Sequence, residues 1–267
     1  MKQILVPTDF SPNAEKALDY AIQLAKFLRS EVFVLHSVDP GLPESTIADS
    51  NEKMELLKKS IASKEMVQVK TEICEGATVN AIVDVSADEK PDLVVMGTLG
   101  NSAFKEKVFG SKTAAVIGKA DVPVLAIPLL AEWKVPKKIL VAINQFDQND
   151  APLTPVFELA KSFNASIQVA VFTDTDDDYV EDYGEHEANI VTYRDILKEK
   201  HPGIDIHAVH LAGKHFSENL KSWIDKNDID ILVMLTHKRS VLESIFNRSM
   251  TKKMSYNTEI PLLAIPV

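Results

Sequence analysis

Asp92-Leu-Val-Val-Met96 runs straight into Gly97-Thr-Leu-Gly100, and after nine further residues comes Gly110-Ser111. The apolar run reads as a strand buried on both faces, as in a parallel sheet. Glycine at the mouth of such a strand lets backbone N–H groups approach a ligand, because no Cβ stands in the way. Gly110-Ser111 then opens Lys112–Lys119, which reads as a helix. A helix start offers unpaired N–H groups and a partial positive charge, which suits phosphate. Strand, glycine loop, second glycine and helix start together make a cradle for nucleotide phosphates.

Working outward, the chain repeats itself. Ile4-Leu-Val6 matches Ile139-Leu-Val141 and Leu24-Ala-Lys26 matches Leu159-Ala-Lys161, both at an offset of 135. Gly76 matches Gly213 at 137. Asp92–Met96 matches Asp230–Met234, and Pro123–Pro128 matches Pro261–Pro266, both at 138. Order is kept and the drift is three residues, so one domain is duplicated in tandem rather than a short repeat stacked into a solenoid. The two units are read as 1–130, with the glycine motif intact, and 136–267, with the motif degenerate. Their junction lies near Leu129–Pro136, where Glu132, Lys134 and Pro136 interrupt the apolar pattern.

Within the first unit, strands are expected at Ile4–Pro7, Val32–His36, Val67–Ile73, Leu93–Met96 and Val124–Ile127. Helices are expected at Pro12–Leu28, Ser45–Ser63, Val79–Glu89 and Ser111–Lys119. Ala14, Ala17, Leu18, Ala21, Ile22, Leu24 and Ala25 form a helical stripe, and Ser11-Pro12 reads as an N-cap followed by proline at the first helical position. The second unit repeats the plan, with strands near Ile139–Ile143, Ile167–Phe172, Ile206–Leu211, Ile231–Leu235 and Leu262–Ile265. Alternating strands and helices predict an α/β fold: two doubly wound domains, each with a five-stranded, mostly parallel sheet. Ligands of such sheets lie beyond the carboxyl ends of the strands, where the glycine loop sits.

Bulk properties set outer bounds. The chain has 267 residues, 45% hydrophobic and 25% charged, and a net charge of −10. That charge argues against a nucleic-acid binder driven by phosphate neutralisation, but leaves room for a small anion held by local donors. No apolar run approaches the roughly 20 residues of a membrane span. The start of the chain has no signal-peptide plan, and Cys74, the single cysteine, has no internal partner. These features point to the cytoplasm.

The residues now quoted resemble the universal stress protein family in its tandem two-domain form, over nearly the whole chain. They are Val6-Pro-Thr-Asp-Phe-Ser11, Leu35-His-Ser-Val-Asp39, Met96-Gly-x-x-Gly100-x9-Gly110-Ser111 and Val122-Pro-Val-Leu125. The family's ATP-binding signature is Gly-x2-Gly-x9-Gly-Ser/Thr, and the first unit matches all four points. The resemblance implies the adenine nucleotide alpha hydrolase-like fold, ATP as ligand with or without magnesium, and a role in the stress response. It implies a site from Pro7, Thr8, Asp9, Val38, Met96, Gly97, Gly100, Gly110, Ser111 and Lys112. Asp9 would face the adenosine part, and Val38 would offer backbone groups to the adenine edge. Gly97 and Gly100 would approach ribose and phosphates, and Gly110 with Ser111 would hold the phosphate tail. Family relatives pair through the final strand, which implies an intramolecular pair of the two units; further pairing of whole chains stays open. Three positions depart from the family pattern. Leu99 and Asn101 stand where many relatives are polar or basic, and Lys112 where a small apolar residue is common.

The second unit departs further. On the repeat, Gly97 becomes Leu235, Gly100 becomes Lys238, Gly110 becomes Arg248 and Asp9 becomes Asn144; only Ser111 keeps its type, as Ser249. Side chains at three glycine positions are expected to close this cradle to ATP. The alternative is that Lys238, Arg239 and Arg248 replace backbone donors with cations for another anion.

Other constellations read as structural. His207 and His210 lie three apart on a strand, on opposite faces, and cannot readily share a metal; His201, His215 and His237 are scattered. Asp174-Thr-Asp-Asp-Asp178 with Glu181 and Asp182 lacks the glycine and ligand spacing of a calcium loop. Phe109, Phe246, Trp223 and the stripe in Ala188–Leu197 read as core. No Walker lysine motif is present, and no His, second carboxylate or nucleophile is fixed beside Asp9. The leading reading is therefore an ATP-binding module without a catalytic residue. A slow ATPase or self-phosphorylating protein and a nucleotide-free scaffold are the rivals.

Overall fold

The computed structural model describes residues 1–98, 110–143, 146–147, 149–174, 181–236 and 259–267. The first unit runs β1 (Gln3–Pro7), α1 (Pro12–Leu28), β2 (Glu31–Val38), α2 (Glu44–Glu65), β3 (Val69–Glu75), α3 (Thr78–Glu89), β4 (Leu93–Gly97), α4 (Ser111–Ile117) and β5 (Val124–Ile127). The second runs β6 (Lys138–Ile143), a 3-10 turn (Ala151–Leu153), α5 (Thr154–Phe163), β7 (Ser166–Asp174), α6 (Glu181–Lys200), β8 (Ile206–Gly213), α7 (Phe216–Asn227), β9 (Ile231–Thr236) and β10 (Leu262–Pro266).

The strands form one ten-stranded sheet in the order β3-β2-β1-β4-β5-β10-β9-β6-β7-β8. Each unit is a parallel five-stranded half with the doubly wound order. The halves join through their final strands: β5 and β10 pair antiparallel, with Leu125 opposite Leu263. Their apolar, fully buried residues leave a polar backbone edge that only another strand can satisfy away from water.

Residues of the inner strands alternate between two cores, because those strands are covered on both faces. Ile4 and Val6 face α1, whereas Leu5 faces the opposite layer with Phe33, Val94 and Val116. The α1 side is one continuous core across both units, joining Leu24 and Ile127 to Ile139, Leu159 and Leu263. The other side is split into a core for each unit. The stretch between the units packs into the shared side. Trp133 meets Tyr20 edge-on at 4.7 Å between ring centroids, with Phe163 at 6.3 Å. Tyr193, Ile190 and Leu197 bury one face of α6, and the Trp223 indole N–H donates to Gln168 Oε1 at 2.8 Å, in line with the core roles expected of both.

Local chemistry sets the helix that borders the site. Ser11 caps α1, its Oγ accepting from the Ala14 N–H at 3.3 Å, and Pro12 is the first helical residue. The small side chains Ala14, Ala17, Ala21 and Ala25 line its buried face and let it lie close to the sheet. Closest is Gly97: a Cβ there would come within 2.4 Å of Asn13 Nδ2 and 2.7 Å of the Asn13 carbonyl oxygen. The same aspartate device starts both halves. Asp92 accepts from the Lys2 and Gln3 N–H groups at 2.5 and 3.0 Å. Asp230, its repeat partner, accepts from the Lys137 and Lys138 N–H groups at 2.7 and 2.9 Å. Only Asp230 is buried, at 7% exposure, and Lys134 Nζ closes on its other oxygen at 2.6 Å.

Two outcomes follow. Asp230→Ala should lower stability by about 1–3 kcal/mol, because two N–H groups lose their acceptor in a buried setting. Asp92→Ala should cost less than half of that, since water replaces the carboxylate at its exposed end; chemical denaturation of the two variants measures the contrast. Gly97→Ala should cost about 1–3 kcal/mol by overpacking against the start of α1, and equal denaturation midpoints for this variant and the parent would overturn that packing account.

Candidate functional site

The fold brings β1 and β4 side by side, with Ile4 opposite Leu93, so the loops after Pro7 and after Gly97 leave the same edge of the sheet. Pro7 and Thr8 are buried, and the Thr8 N–H extends the ladder to the Leu35 carbonyl at 2.8 Å. The turn beyond is held by its own side chains. Thr8 Oγ1 accepts from the Phe10 N–H at 3.0 Å, and Asp9 Oδ1 accepts from the Ser11 N–H at 3.1 Å. Phe10 sits at φ 57°, in the left-handed region, which such local bonds help a non-glycine residue to tolerate. His36 supports the turn from β2. Its Nδ1 lies 2.8 Å from the Thr8 carbonyl; a carbonyl only accepts, so Nδ1 carries the proton. Its ring packs on Phe10 at 4.6 Å. Asp9 is half-buried, with Oδ1 committed to the turn.

On the β4 side, the Gly110 N–H donates to the Thr98 carbonyl. The Thr113 hydroxyl, one turn into α4, donates to the Gly97 carbonyl at 2.7 Å. These bonds hold Gly97-Thr98 and Gly110-Ser111 together. Gly110 is the N-cap of α4 and has no side chain to accept from the first turn; among the described residues no side chain caps it. Ser111 and Lys112 are exposed beside them. Met96 is buried in the α4-side core, so its side chain packs and only its backbone borders the site. Val38 is buried on the β2 flank, and its carbonyl already accepts the Gly76 N–H at 2.8 Å, leaving one lone pair. Gly100, Leu99, Asn101 and Phe109 lie outside the described residues.

Three residues were not singled out from sequence. Ser37 at the end of β2 and Thr78 at the start of α3 are 3.1 Å apart through their hydroxyls, and Lys112 Nζ reaches Thr78 Oγ1 at 3.3 Å. Asn13 is the packing partner of Gly97. Only three-dimensional adjacency reveals them, because they come from three separate elements, β2, α3 and α1.

The second unit differs at the matching place. Leu235 occupies the Gly97 position on β9 and packs, half-buried, on the shared core. On the repeat, α1 begins at the position of Asp147, yet α5 begins only at Thr154, after a 3-10 turn. A leucine at 235 fills space that the first turn of α1 crosses in the first unit. Asn144, Lys238, Arg239, Arg248, Ser249, His237 and Phe246 lie outside the described residues, as does the acidic run 175–180.

The histidines separate as expected and then regroup. His207 is exposed and pairs with Asp205 at 2.8 Å. His210, on the other face of β8, lies 2.8 Å from Thr173 Oγ1, and His186 of α6 lies 2.7 Å from the same hydroxyl. Among the described residues, no group of three or more His, Cys, Asp or Glu side chains is placed to hold a metal ion, and no helix is long and apolar enough to cross a membrane. Burial first, and then the neighbouring His186, hold the His210 imidazolium form down. The unfolded chain therefore takes up its proton first as pH falls, so stability present at neutral pH should be lost as pH drops below about 6.5. His210→Gln should flatten that part of a stability–pH curve measured by thermal unfolding.

The universal stress protein family model matches residues 1–128 and again 136–266. Two universal stress proteins of Methanocaldococcus jannaschii are 36% and 33% identical to it over 149 and 153 residues. These alignments cover 51% and 47% of this chain, and 84% and 94% of the relatives. A solved universal stress protein from Archaeoglobus fulgidus superposes over 98% of this chain and 97% of its own, with a TM-score of 0.78 at 19% identity, a likeness of fold. One relative thus spans about one half, the full-length fold is shared, and the family model fits twice: the chain belongs to the universal stress protein family, as two family units in one polypeptide.

Proposed function

We propose that the first unit, residues 1–130, binds one adenine nucleotide, ATP with or without magnesium, and that occupancy alters how the protein meets partners under stress in the cytoplasm. The observation that carries this reading is the closure of Gly97-Thr98 onto Gly110-Ser111, with Asp9 on the adjacent strand end. Pro7, Thr8, Asp9 and Val38 form the nucleoside side. Met96, Gly97, Gly100, Gly110, Ser111 and Lys112 form the phosphate side.

The second unit, residues 136–267, is a degenerate copy that does not take ATP in this manner. Leu235 fills the glycine position, and Lys238 and Arg248 stand where the other two glycines would be. It serves as the structural partner of the first unit, an intramolecular pair joined through β5 and β10. The reading is a binding module rather than an enzyme. Asp9 has one oxygen committed to its turn, and no nucleophile or second carboxylate joins it among the described contacts, so recognition of the nucleoside suits it better than general-base work. A slow ATPase needs only positioning and charge neutralisation and is the second reading. A nucleotide-free scaffold is the third.

Protein purified without added nucleotide is denatured, and the released nucleotide is identified and counted by chromatography, followed by titration with ATP. The expected result is about one adenine nucleotide per chain, lost in Gly100→Arg. Two per chain would overturn the closure of the second site. No retention and no binding on titration would favour the scaffold, and sustained phosphate release with magnesium would favour the ATPase.

A further inference from the structure

Beside the glycine loop, three side chains meet that the family signature does not contain as a set. Ser37 lies at the end of β2, Thr78 opens α3, and Lys112 follows Ser111 in α4. Ser37 and Thr78 are half-buried and Lys112 is exposed. The hydroxyls lie 3.1 Å apart, and the ammonium is 3.3 Å from Thr78 Oγ1. The next residue after Lys112, Thr113, bonds the Gly97 carbonyl at 2.7 Å, so this cluster is tied to the same point as the glycine loop.

Its hydrogen-bond inventory leaves donors over. An ammonium only donates, so Thr78 accepts from Lys112. Ser37 Oγ donates to the same Thr78 Oγ1, so the Thr78 O–H has no acceptor within this cluster. Lys112 keeps two further N–H donors and a full charge, and among the described residues no carboxylate pairs with it. Acceptors are in deficit and positive charge is in surplus. An acceptor-only, negatively charged group satisfies both. The chain as a whole carries −10, so this attraction is local and not a property of the bulk field.

The repeat provides a built-in contrast. The positions of Ser37 and Thr78 hold Phe172 and His215 in the second unit, and that of Lys112 holds Met250. Phe172 packs edge-on against Phe216 at 5.2 Å, so that rim is aromatic where the first is hydroxylic.

We propose that Ser37, Thr78 and Lys112 form a side-chain subsite for a phosphate group of the bound nucleotide, supplementing the backbone donors of the glycine loop. The proposal rests on the nucleotide reading of the first unit. The subsite makes affinity depend on the phosphates through a charge that can be deleted without touching any glycine.

The test uses full-length, nucleotide-free protein and calorimetric titration with adenosine, AMP, ADP and ATP. Lys112→Ala should weaken at least one phosphate-bearing ligand roughly tenfold, and Thr78→Val severalfold, as expected for charge-assisted hydrogen bonds. Adenosine affinity should stay within about twofold, and Lys112→Arg should restore most of the loss, since it keeps the charge and donors. Higher salt should weaken the parent more than Lys112→Ala. Unchanged affinity for all three phosphate-bearing ligands in Lys112→Ala would overturn the subsite while leaving the nucleotide reading intact. Equal losses for adenosine and ATP would also overturn it, by showing a structural role. A parent protein that binds none of the four ligands would overturn both.

Discussion

The antiparallel pairing of β5 with β10 is the constraint on which the rest of the molecule depends. Each half carries its own parallel sheet, and the strand at its inner edge is apolar and buried on both faces. Val124–Ile127 alone would present unpaired peptide groups flanked by side chains that cannot be left in water. Joining it to Leu262–Pro266 satisfies the backbone and, on the α1 side, merges two cores into one. Because the pairing is antiparallel, the carboxyl ends of the first five strands and of the last five leave opposite edges of the common sheet. Ligand crevices of α/β sheets lie at those ends. The two halves therefore present their crevices in opposite directions, and no single small ligand can bridge them.

Gly97 shows how one residue answers two demands. At the mouth of a strand it reads as a residue that lets a ligand approach the backbone. In the structure its missing Cβ also lets Asn13 and the first turn of α1 lie across it. That turn follows the Asp9 loop, so packing against Gly97 fixes where the Asp9 turn begins. The second half shows the linked change: leucine at 235, and a helix that starts seven residues later relative to the repeat, at Thr154. Leucine in place of the glycine thus goes with a different packing of the neighbouring helix.

Much of this was legible in the sequence, for identifiable reasons. Buried parallel strands are continuous apolar runs, and the internal repeat supplied each strand twice, so β1, β4 and β5 fell where Ile4, Leu93 and Val124 indicated. Ser11-Pro12 fixed the start of α1 because capping is local chemistry. Helix ends were harder to read. α1 and α3 end at Leu28 and Glu89 as expected, but α2 runs to Glu65 rather than Ser63 and α4 stops at Ile117 rather than Lys119; α2 closes on Met66 in the left-handed conformation, a position that glycine more often marks. The ends of β2 and β3 extend beyond His36 and Ile73 because ladder bonds between Val38 and the Glu75–Gly76 region continue them, whatever the polarity of the side chains. Ser37 with Thr78, and His186 with His210, escaped notice because each pair joins elements whose adjacency only the strand order establishes. The place of Gly97 at the end of β4 could be read from sequence, its contact with Asn13 could not.

The same physics explains why a unit with a degenerate motif remains a full member of the fold. At the three glycine positions of the motif the second unit carries Leu235, Lys238 and Arg248, and β9, which contains Leu235, still pairs with β6 and β10. The pairing edge has no such freedom. Leu262, Leu263 and Ala264 are all buried, each faces β5 across the ladder, and they supply three different cores: Leu263 the shared one, Ala264 that of the first unit and Leu262 that of the second. A polar residue at any of them would bury an unpaired group in a core that also supports the first unit. A degenerate glycine motif is therefore compatible with the full sheet, whereas loss of the final strand would unpair β5 and open the shared core.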